Sequence, residues 1–174
     1  MTVTFFGHRY VQKEIEPMLR STLVVLIENH DCRLFYVGNQ GGFDAMVTRL
    51  LRELSDRYPI RAYTVLAYLP VGENGVSTNL LPTVLPEGIE TVPRRFAISF
   101  RNKWMIAQSD FVVTHVTNHI ASGAAQFKAL AEKLRKAVIN LVLYNFPPAK
   151  NTDVSPKHDM LRLNRSLFEA ADMV

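Results

Sequence analysis

The sequence has little of what builds disulfide frameworks, zinc sites or membrane spans. Only one of its 174 residues is cysteine, Cys32, so an internal disulfide framework and a cysteine-based zinc site are excluded. No apolar run approaches the roughly 20 residues that a membrane-spanning helix needs, and the start, Met1 to Val3, is not basic like a targeting segment. We therefore expect a soluble protein of the reducing cytoplasm with no membrane partner.

The chain also lacks a strong charge of either sign. It carries 20 Lys and Arg against 16 Asp and Glu, a formal net charge of +4, and no dense basic stripe interleaved with aromatic residues. Nucleic acid is therefore not an expected partner, although a mild excess of cations suits a small anionic ligand. With 48% hydrophobic residues and this length, the sequence is typical of one globular domain.

Two kinds of apolar pattern alternate along the chain. Short runs rich in β-branched and aromatic residues predict strands, and apolar residues that recur every three or four positions predict helices. The predicted strands are Val3–Phe6, Leu34–Val37, Arg61–Leu69, Asp110–Val116 and Ala137–Leu143. The predicted helices cover residues 11–30, 43–54, 95–108 and 123–136. This alternation predicts an α/β fold, a doubly wound parallel sheet with helices on both faces.

Two segments interrupt the alternation. The stretch from Pro70 to Pro93 is irregular and rich in proline and glycine, and a loop of that length predicts a functional segment or a lid. Beyond the last strand the composition becomes polar. We therefore expect one domain over residues 1–146 and a C-terminal linker and helix over residues 147–174 that packs on it.

In an open parallel sheet, ligands bind beyond the carboxyl ends of the strands. The loop after the first strand carries Gly7, His8 and Arg9, where an arginine side chain can hold a phosphate. The loop after the second strand favours an anion site because glycines let backbone amides approach a ligand closely, although an ordinary glycine turn explains it equally well. Its candidate residues are Gly38, Asn39, Gln40, Gly41, Gly42 and Asp44.

Carboxylates and histidines give weaker signals. Glu87 and Glu90 in the irregular loop are candidates for acid–base work on an N-glycosidic bond, with a solvated polar turn as the alternative. His115 and His119 stand four residues apart, but no acidic or cysteine ligand completes a metal site near them. We expect neither a metal nor a cofactor.

Several of these motifs occur together in one known group of proteins. Phe5 to Arg9, Phe35 to Asp44, Pro86 to Gly88, Arg101 to Met105 and the pair Ser109-Asp110 together resemble the SLOG superfamily. This is the Rossmann-like group that includes the Lonely Guy phosphoribohydrolases, the DprA proteins and the YpsA-like proteins. The likeness extends from about Thr2 to Leu143 and is greatest to small stand-alone bacterial members. It implies a Rossmann-like domain that binds a nucleotide or nucleotide derivative, commonly as a homodimer.

The resemblance also implies roles for particular residues. Arg101, with Asn102 beside it, resembles the arginine on a helix that Lonely Guy enzymes need for hydrolysis. Ser122 and Gly123 fall in the loop that cradles phosphate in that branch. The same loop has Gln126 where those enzymes carry a catalytic glutamate, and a glutamine cannot act as a carboxylate base.

The sequence therefore predicts a nucleotide-binding module or sensor of the SLOG type. The alternative is a nucleoside 5′-monophosphate phosphoribohydrolase in which Arg101 holds phosphate and Glu87 or Glu90 assists departure of the base. Single-stranded DNA binding is a third and weaker hypothesis. In the nucleotide-binding readings we expect Arg9 and Arg101 to contact phosphate and the amides of Gly41 and Gly42 to complete the cradle.

Overall fold

A computed structural model describes residues 1–69, 81–117 and 122–142. Within these residues a single sheet contains six parallel strands: β1 (Thr2–Gly7), β2 (Leu34–Val37), β3 (Arg61–Val65), β4 (Thr83–Val84), β5 (Phe111–His115) and β6 (Ala137–Asn140). Their order across the sheet is β4-β3-β2-β1-β5-β6. The predicted Rossmann-like α/β fold with an all-parallel sheet is therefore confirmed.

In the described part of the chain, four α-helices connect the strands: α1 (Glu16–Asn29), α2 (Gly42–Ser55), α3 (Arg94–Ala107) and α4 (Gly123–Lys133). The buried residues of α1 and α2 pack with Val3 and Phe5 in one apolar cluster, whereas those of α3 and α4 pack with Phe6 and Val112 in another. Because neighbouring residues of a strand point to opposite faces, these two clusters lie on the two faces of the sheet. The helices therefore cover both faces, as predicted.

The first helix begins later than the sequence pattern predicted. A short 3₁₀ turn, Lys13–Ile15, precedes α1, and Pro17 lies in the first turn of α1 itself. Proline is well suited to that position because the first helical N–H groups have no partner within the helix. The other three helices begin and end within three residues of the predicted bounds, the largest difference being the end of α4 at Lys133 instead of Lys136.

The third strand ends at Val65 instead of Leu69. Beyond it the chain turns, and Ala67 and Tyr68 pack with Ile89 and Ala97 in a small separate cluster. The Tyr68 hydroxyl donates to the carbonyl of Arg94 at 3.3 Å, which ties this turn to the start of α3. Contacts to α3 thus replace continued pairing in the sheet.

β4 was not predicted, because Thr83–Val84 is only two residues long and stands in a proline-rich stretch. Its pairing with β3 continues on either side, since the N–H of Thr64 donates to the Pro82 carbonyl at 2.8 Å and the N–H of Leu66 to the Val84 carbonyl at 2.9 Å. The rest of the irregular stretch includes the 3₁₀ turn Ile89–Thr91, and residues 70–80 of the predicted lid lie outside the described residues.

The predicted C-terminal linker and helix over residues 147–174 also lie outside the described residues. Within the described ranges, none of the helices has the length and apolar character needed to cross a membrane.

Candidate functional site

A cleft of about 360 Å³ lies where the strand order reverses. The chain proceeds from β1 through β2 and β3 to β4 on one side and then returns to place β5 on the other side of β1. Loops that leave neighbouring strands in opposite directions leave a crevice at such a switch point, and ligands bind there in open α/β sheets. From the loops after β1 and β2, the predicted residues that line the cleft are Gly7, His8, Arg9, Gly38, Gln40 and Asp44.

Four further predicted residues line the same cleft from the other face of the sheet. Arg101 and Asn102 project from the middle of α3, and Ser122 and Gly123 stand at the start of α4. The structure thus brings ten residues that the sequence analysis named into one space.

The loops after β1 and β2 are joined through their backbones. The N–H of Gly42 donates to the carbonyl of Arg9 at 2.8 Å. This bond corrects the expectation that the Gly42 amide completes a phosphate cradle, because that donor is already engaged within the protein. Neither Gly41, Gly42 nor Asn39 lines the cleft, and the two glycines shape the loop that holds Arg9 in place.

Gly38 separates the two charged groups at the centre of the site. A Cβ atom on Gly38 would lie 2.6 Å from Nη1 of Arg101 and 3.2 Å from Cγ of Asp44, distances that leave no room for a side chain. Asp44 accepts the backbone N–H of Gln40 at 2.9 Å through Oδ2, which fixes the carboxylate at the start of α2. The absence of a Cβ therefore allows both charges to face the same strand end.

Arg101 is deeply buried, with only 2% of its surface exposed. Its Nη1 donates to the carbonyl of Val65 at 3.1 Å, and its Nε has no hydrogen-bond partner among the described residues. Burial lowers the pKa of the Arg101 guanidinium. The Asp44 carboxylate and, to a smaller extent, Tyr68 oppose that shift. An unpaired buried donor is costly, and in native proteins it calls for an explanation such as a functional role.

Two histidines lie at the junction of β1 and β5. Nε2 of His8 faces the N–H of Thr117 at 3.3 Å and accepts from it, so in the neutral ring the proton is on Nδ1. His115 bonds the Leu141 carbonyl through Nδ1 at 2.6 Å, and its ring centroid is 5.9 Å from that of His8. Burial and then His115 lower the pKa of His8, which favours a neutral imidazole on the wall of the cleft.

The N-terminus of α4 forms another part of the wall. Ser122 caps this helix, since its hydroxyl accepts the N–H of Ala125 at 3.2 Å. The first N–H groups of a helix have no partner within it and, together with the helix dipole, favour an anion. A Cβ on Gly123 would meet none of the described residues within 4 Å, so among those residues nothing covers this helix end.

The apolar part of the cleft was not predicted from the sequence. Phe6 and Phe127 stack with centroids 5.4 Å apart, and both line the cleft together with Ile98 and Met105. Their sequence signal is that of ordinary core residues on a strand and on helix faces. Only the position of Phe6 near the carboxyl end of β1 could have indicated a site.

The two candidate catalytic glutamates lie elsewhere. Glu87 and Glu90 are exposed and do not line the cleft, and Glu90 borders a separate pocket of about 240 Å³ beside Tyr68 and Arg94. His119 of the predicted histidine pair lies outside the described residues. Among the residues that the structure does describe, no group of three His, Cys, Asp or Glu could hold a metal ion.

Comparisons with known proteins bear on the fold. No family model matches the chain, and no curated protein matches it either. Among solved structures, DNA processing protein A from Helicobacter pylori, described for its unique single-stranded DNA binding mode, is similar with a TM-score of 0.60. The match has 14% sequence identity and covers 99% of this chain and 79% of that chain. At this identity the likeness shows a shared Rossmann-like fold, the kind of fold that the resemblance to the SLOG group implied.

Proposed function

We propose that the chain is a binding module for a nucleotide or nucleotide derivative, which lies in the cleft at the switch point. The observation that carries the proposal is Arg101, a buried cation on the cleft wall whose Nε has no hydrogen-bond partner among the described residues. A ligand acceptor in the cleft would gain a charge-assisted hydrogen bond from that guanidinium.

The rest of the wall suits the two ends of a nucleotide. The exposed side chain of Arg9 and the N-terminus of α4 provide positive charge for phosphate. Phe6 and Phe127 provide an apolar surface of the kind on which a flat base packs.

Binding is favoured over hydrolysis because of the carboxylates. Among the described residues that line the cleft, Asp44 is the only acidic one, and it is held by the Gln40 N–H. Glu87 and Glu90 are exposed and outside the cleft, so they are not placed to assist departure of a base from a ligand bound there. Incubation with AMP, GMP, CMP and UMP, followed by mass spectrometry for free base, tests the alternative of a phosphoribohydrolase.

Isothermal titration against nucleoside monophosphates, diphosphates, nucleotide-sugars and ADP-ribose tests the proposed function directly. We expect binding by at least one of them, and at least tenfold weaker binding in Arg101→Met, because a charge-assisted hydrogen bond is lost. Arg52→Met, on an exposed residue in the last turn of α2, is the matched control and should bind as the wild type does. Folded protein that binds none of these compounds would contradict the proposal.

Single-stranded DNA is the second candidate ligand, favoured by the fold likeness to DNA processing protein A. Fluorescence anisotropy with an oligothymidylate at several salt concentrations tests it, since each phosphate contact to a single strand adds about −0.7 to the slope of log K against log salt. A steep slope together with no binding of mononucleotides would favour DNA. A flat or unmeasurable response would leave the mononucleotide as the ligand.

A further inference from the structure

The centre of the cleft holds a pair of opposite charges whose hydrogen-bonding capacity is unfilled. Arg101 and Asp44 both face Gly38, and they interact electrostatically, yet no hydrogen bond joins them. Nε of Arg101 is enclosed by the protein without a partner among the described residues, so a ligand would meet the Nη groups instead. Asp44 accepts the Gln40 N–H through Oδ2, and within the same residues its Oδ1 accepts nothing.

The chemistry of the two groups restricts what lies between them. A guanidinium only donates hydrogen bonds and a carboxylate only accepts them. A phosphate would suit Arg101 but would place its negative charge beside Asp44, and an ammonium group would suit Asp44 but be repelled by Arg101. A hydroxyl group satisfies both partners, because it donates one hydrogen bond and accepts others.

The distribution of charge in the cleft also favours a hydroxyl group between Asp44 and Arg101. Asp44 and Arg101 carry opposite charges that attract each other, so the pair adds little formal net charge to the cleft. Further positive potential lies at the N-terminus of α4, where a Cβ on Gly123 would meet no described residue within 4 Å, and at the exposed Arg9, whose backbone adjoins Gly41 beside the start of α2. Asp44 is on a helix of one face of the sheet and Gly123 on a helix of the other, so the cleft has two chemically different ends.

We infer that Asp44 and Arg101 form a hydroxyl-recognition subsite that selects the sugar of a phosphorylated ligand, with a free ribose diol as the class of group bound. This inference rests on the proposed function, since it assigns the sugar of the nucleotide to the centre of the cleft and the phosphate to the end at α4. It also predicts that nucleotides within a DNA strand, which lack free sugar hydroxyls, are poor ligands.

The test compares four forms of one nucleotide on the full chain. The ribonucleoside 5′-monophosphate that binds most tightly among AMP, GMP, CMP and UMP is titrated beside its 2′-deoxy, 3′-deoxy and 2′,3′-dideoxy analogues. We expect the dideoxy analogue to bind the wild type about tenfold more weakly or worse, because a charge-assisted hydrogen bond to a hydroxyl is lost. The two monodeoxy analogues identify the hydroxyl that contributes more.

Asp44→Asn should weaken the preference for the ribose form, so that the affinities for the four compounds become nearly equal. Asp56→Asn, at the exposed C-terminal end of the same helix, is the matched control and should keep the wild-type preference. Equal binding of the ribose and dideoxy forms by the wild type, a comparison that needs no variant to fold, would overturn the inference and leave the proposed function intact. Binding of none of the four monophosphates would count against the inference, and the wider panel of ligands would then decide the proposed function separately.

Discussion

A Cβ atom on Gly41 would lie 2.8 Å from the Cα of Arg9, closer than a side chain permits. Gly41 also has a φ of +146°, in a region that residues with a Cβ rarely adopt. The loops after β1 and β2 therefore touch along their backbones, and glycine at position 41 sets the distance between them. Arg9 reaches the cleft wall from this junction.

Alanine at position 41 is expected to destabilise the fold by about 1–3 kcal/mol, since backbone strain and an overpacked contact each cost energy of that order. Urea unfolding followed by circular dichroism measures the loss. Gly123→Ala is the matched control, because a Cβ there meets no described residue within 4 Å, and its stability should stay close to that of the wild type. An equal loss in both variants would show that the contact with Arg9 is not the cause.

Asp44→Asn should stabilise the protein at neutral pH. Burial raises the pKa of the Asp44 carboxyl above its usual 3.8, and the Gln40 N–H and Arg101 offset only part of that rise. A carboxyl whose pKa is higher in the folded than in the unfolded protein makes its full contribution to stability only below the unfolded-state pKa. This contribution is lost as the pH rises through the folded-state pKa. The variant keeps an acceptor for Gln40, so its free energy of unfolding should exceed that of the wild type at neutral pH.

Urea unfolding at neutral pH and again at about pH 3.5 checks this prediction. The advantage of Asp44→Asn should shrink at the lower pH, where the wild-type carboxyl is protonated. A difference between variant and wild type that is the same at both pH values would contradict the role of ionisation.

His8→Gln should weaken the pH dependence of stability on the acid side. Burial and His115 lower the pKa of His8 below its usual 6.5, so the folded protein favours the neutral ring. The contribution of His8 to the free energy of unfolding is at its maximum above pH 6.5. It is lost as the pH falls through the folded-state pKa of His8. Glutamine keeps an oxygen that can accept the Thr117 N–H and does not titrate.

Unfolding free energies measured from neutral pH down to about pH 5 should therefore fall less steeply in His8→Gln than in the wild type. Parallel curves for the two proteins would mean that protonation of His8 does not oppose folding.

Glu87→Ala and Glu90→Ala are expected to leave nucleotide affinity within about twofold of the wild type, because exposed residues away from a site seldom affect it. Both side chains are exposed and outside the cleft. Isothermal titration with the nucleotide that binds most tightly measures the effect. A tenfold loss of affinity, or loss of a turnover found in the wild type, would instead assign these loop carboxylates to the site.

The sequence predicts the sheet and most of the cleft because the necessary signals are local. Glycines end β1 and interrupt the chain after β2, and the carboxyl ends of parallel strands meet at one edge, so the sequence alone places His8 and Gln40 close together. Periodicity places the helices for the same reason, since α2 carries apolar residues at three- and four-residue spacing.

What the sequence does not reveal depends on contacts between distant segments. Arg101 stands out only by resemblance, and its burial follows from the packing of α3 near the Val65 carbonyl. The engagement of the Gly42 N–H with Arg9 likewise needs the relative position of two loops. Residues such as Phe127 pack in the core and also line the cleft. The periodicity of apolar residues cannot distinguish a core residue from one that also lines a cleft.

Among the strands that the structure describes, β4 stands at one edge of the sheet with only two residues, Thr83 and Val84. Long flat edge strands offer unpaired backbone groups on which a second molecule can add a strand, and very short edges flanked by proline protect against this. Pro82 and Pro86 stand close to either end of β4. Within the described residues, the two-residue edge formed by β4 is thus a poor template for association of a second molecule through strand pairing.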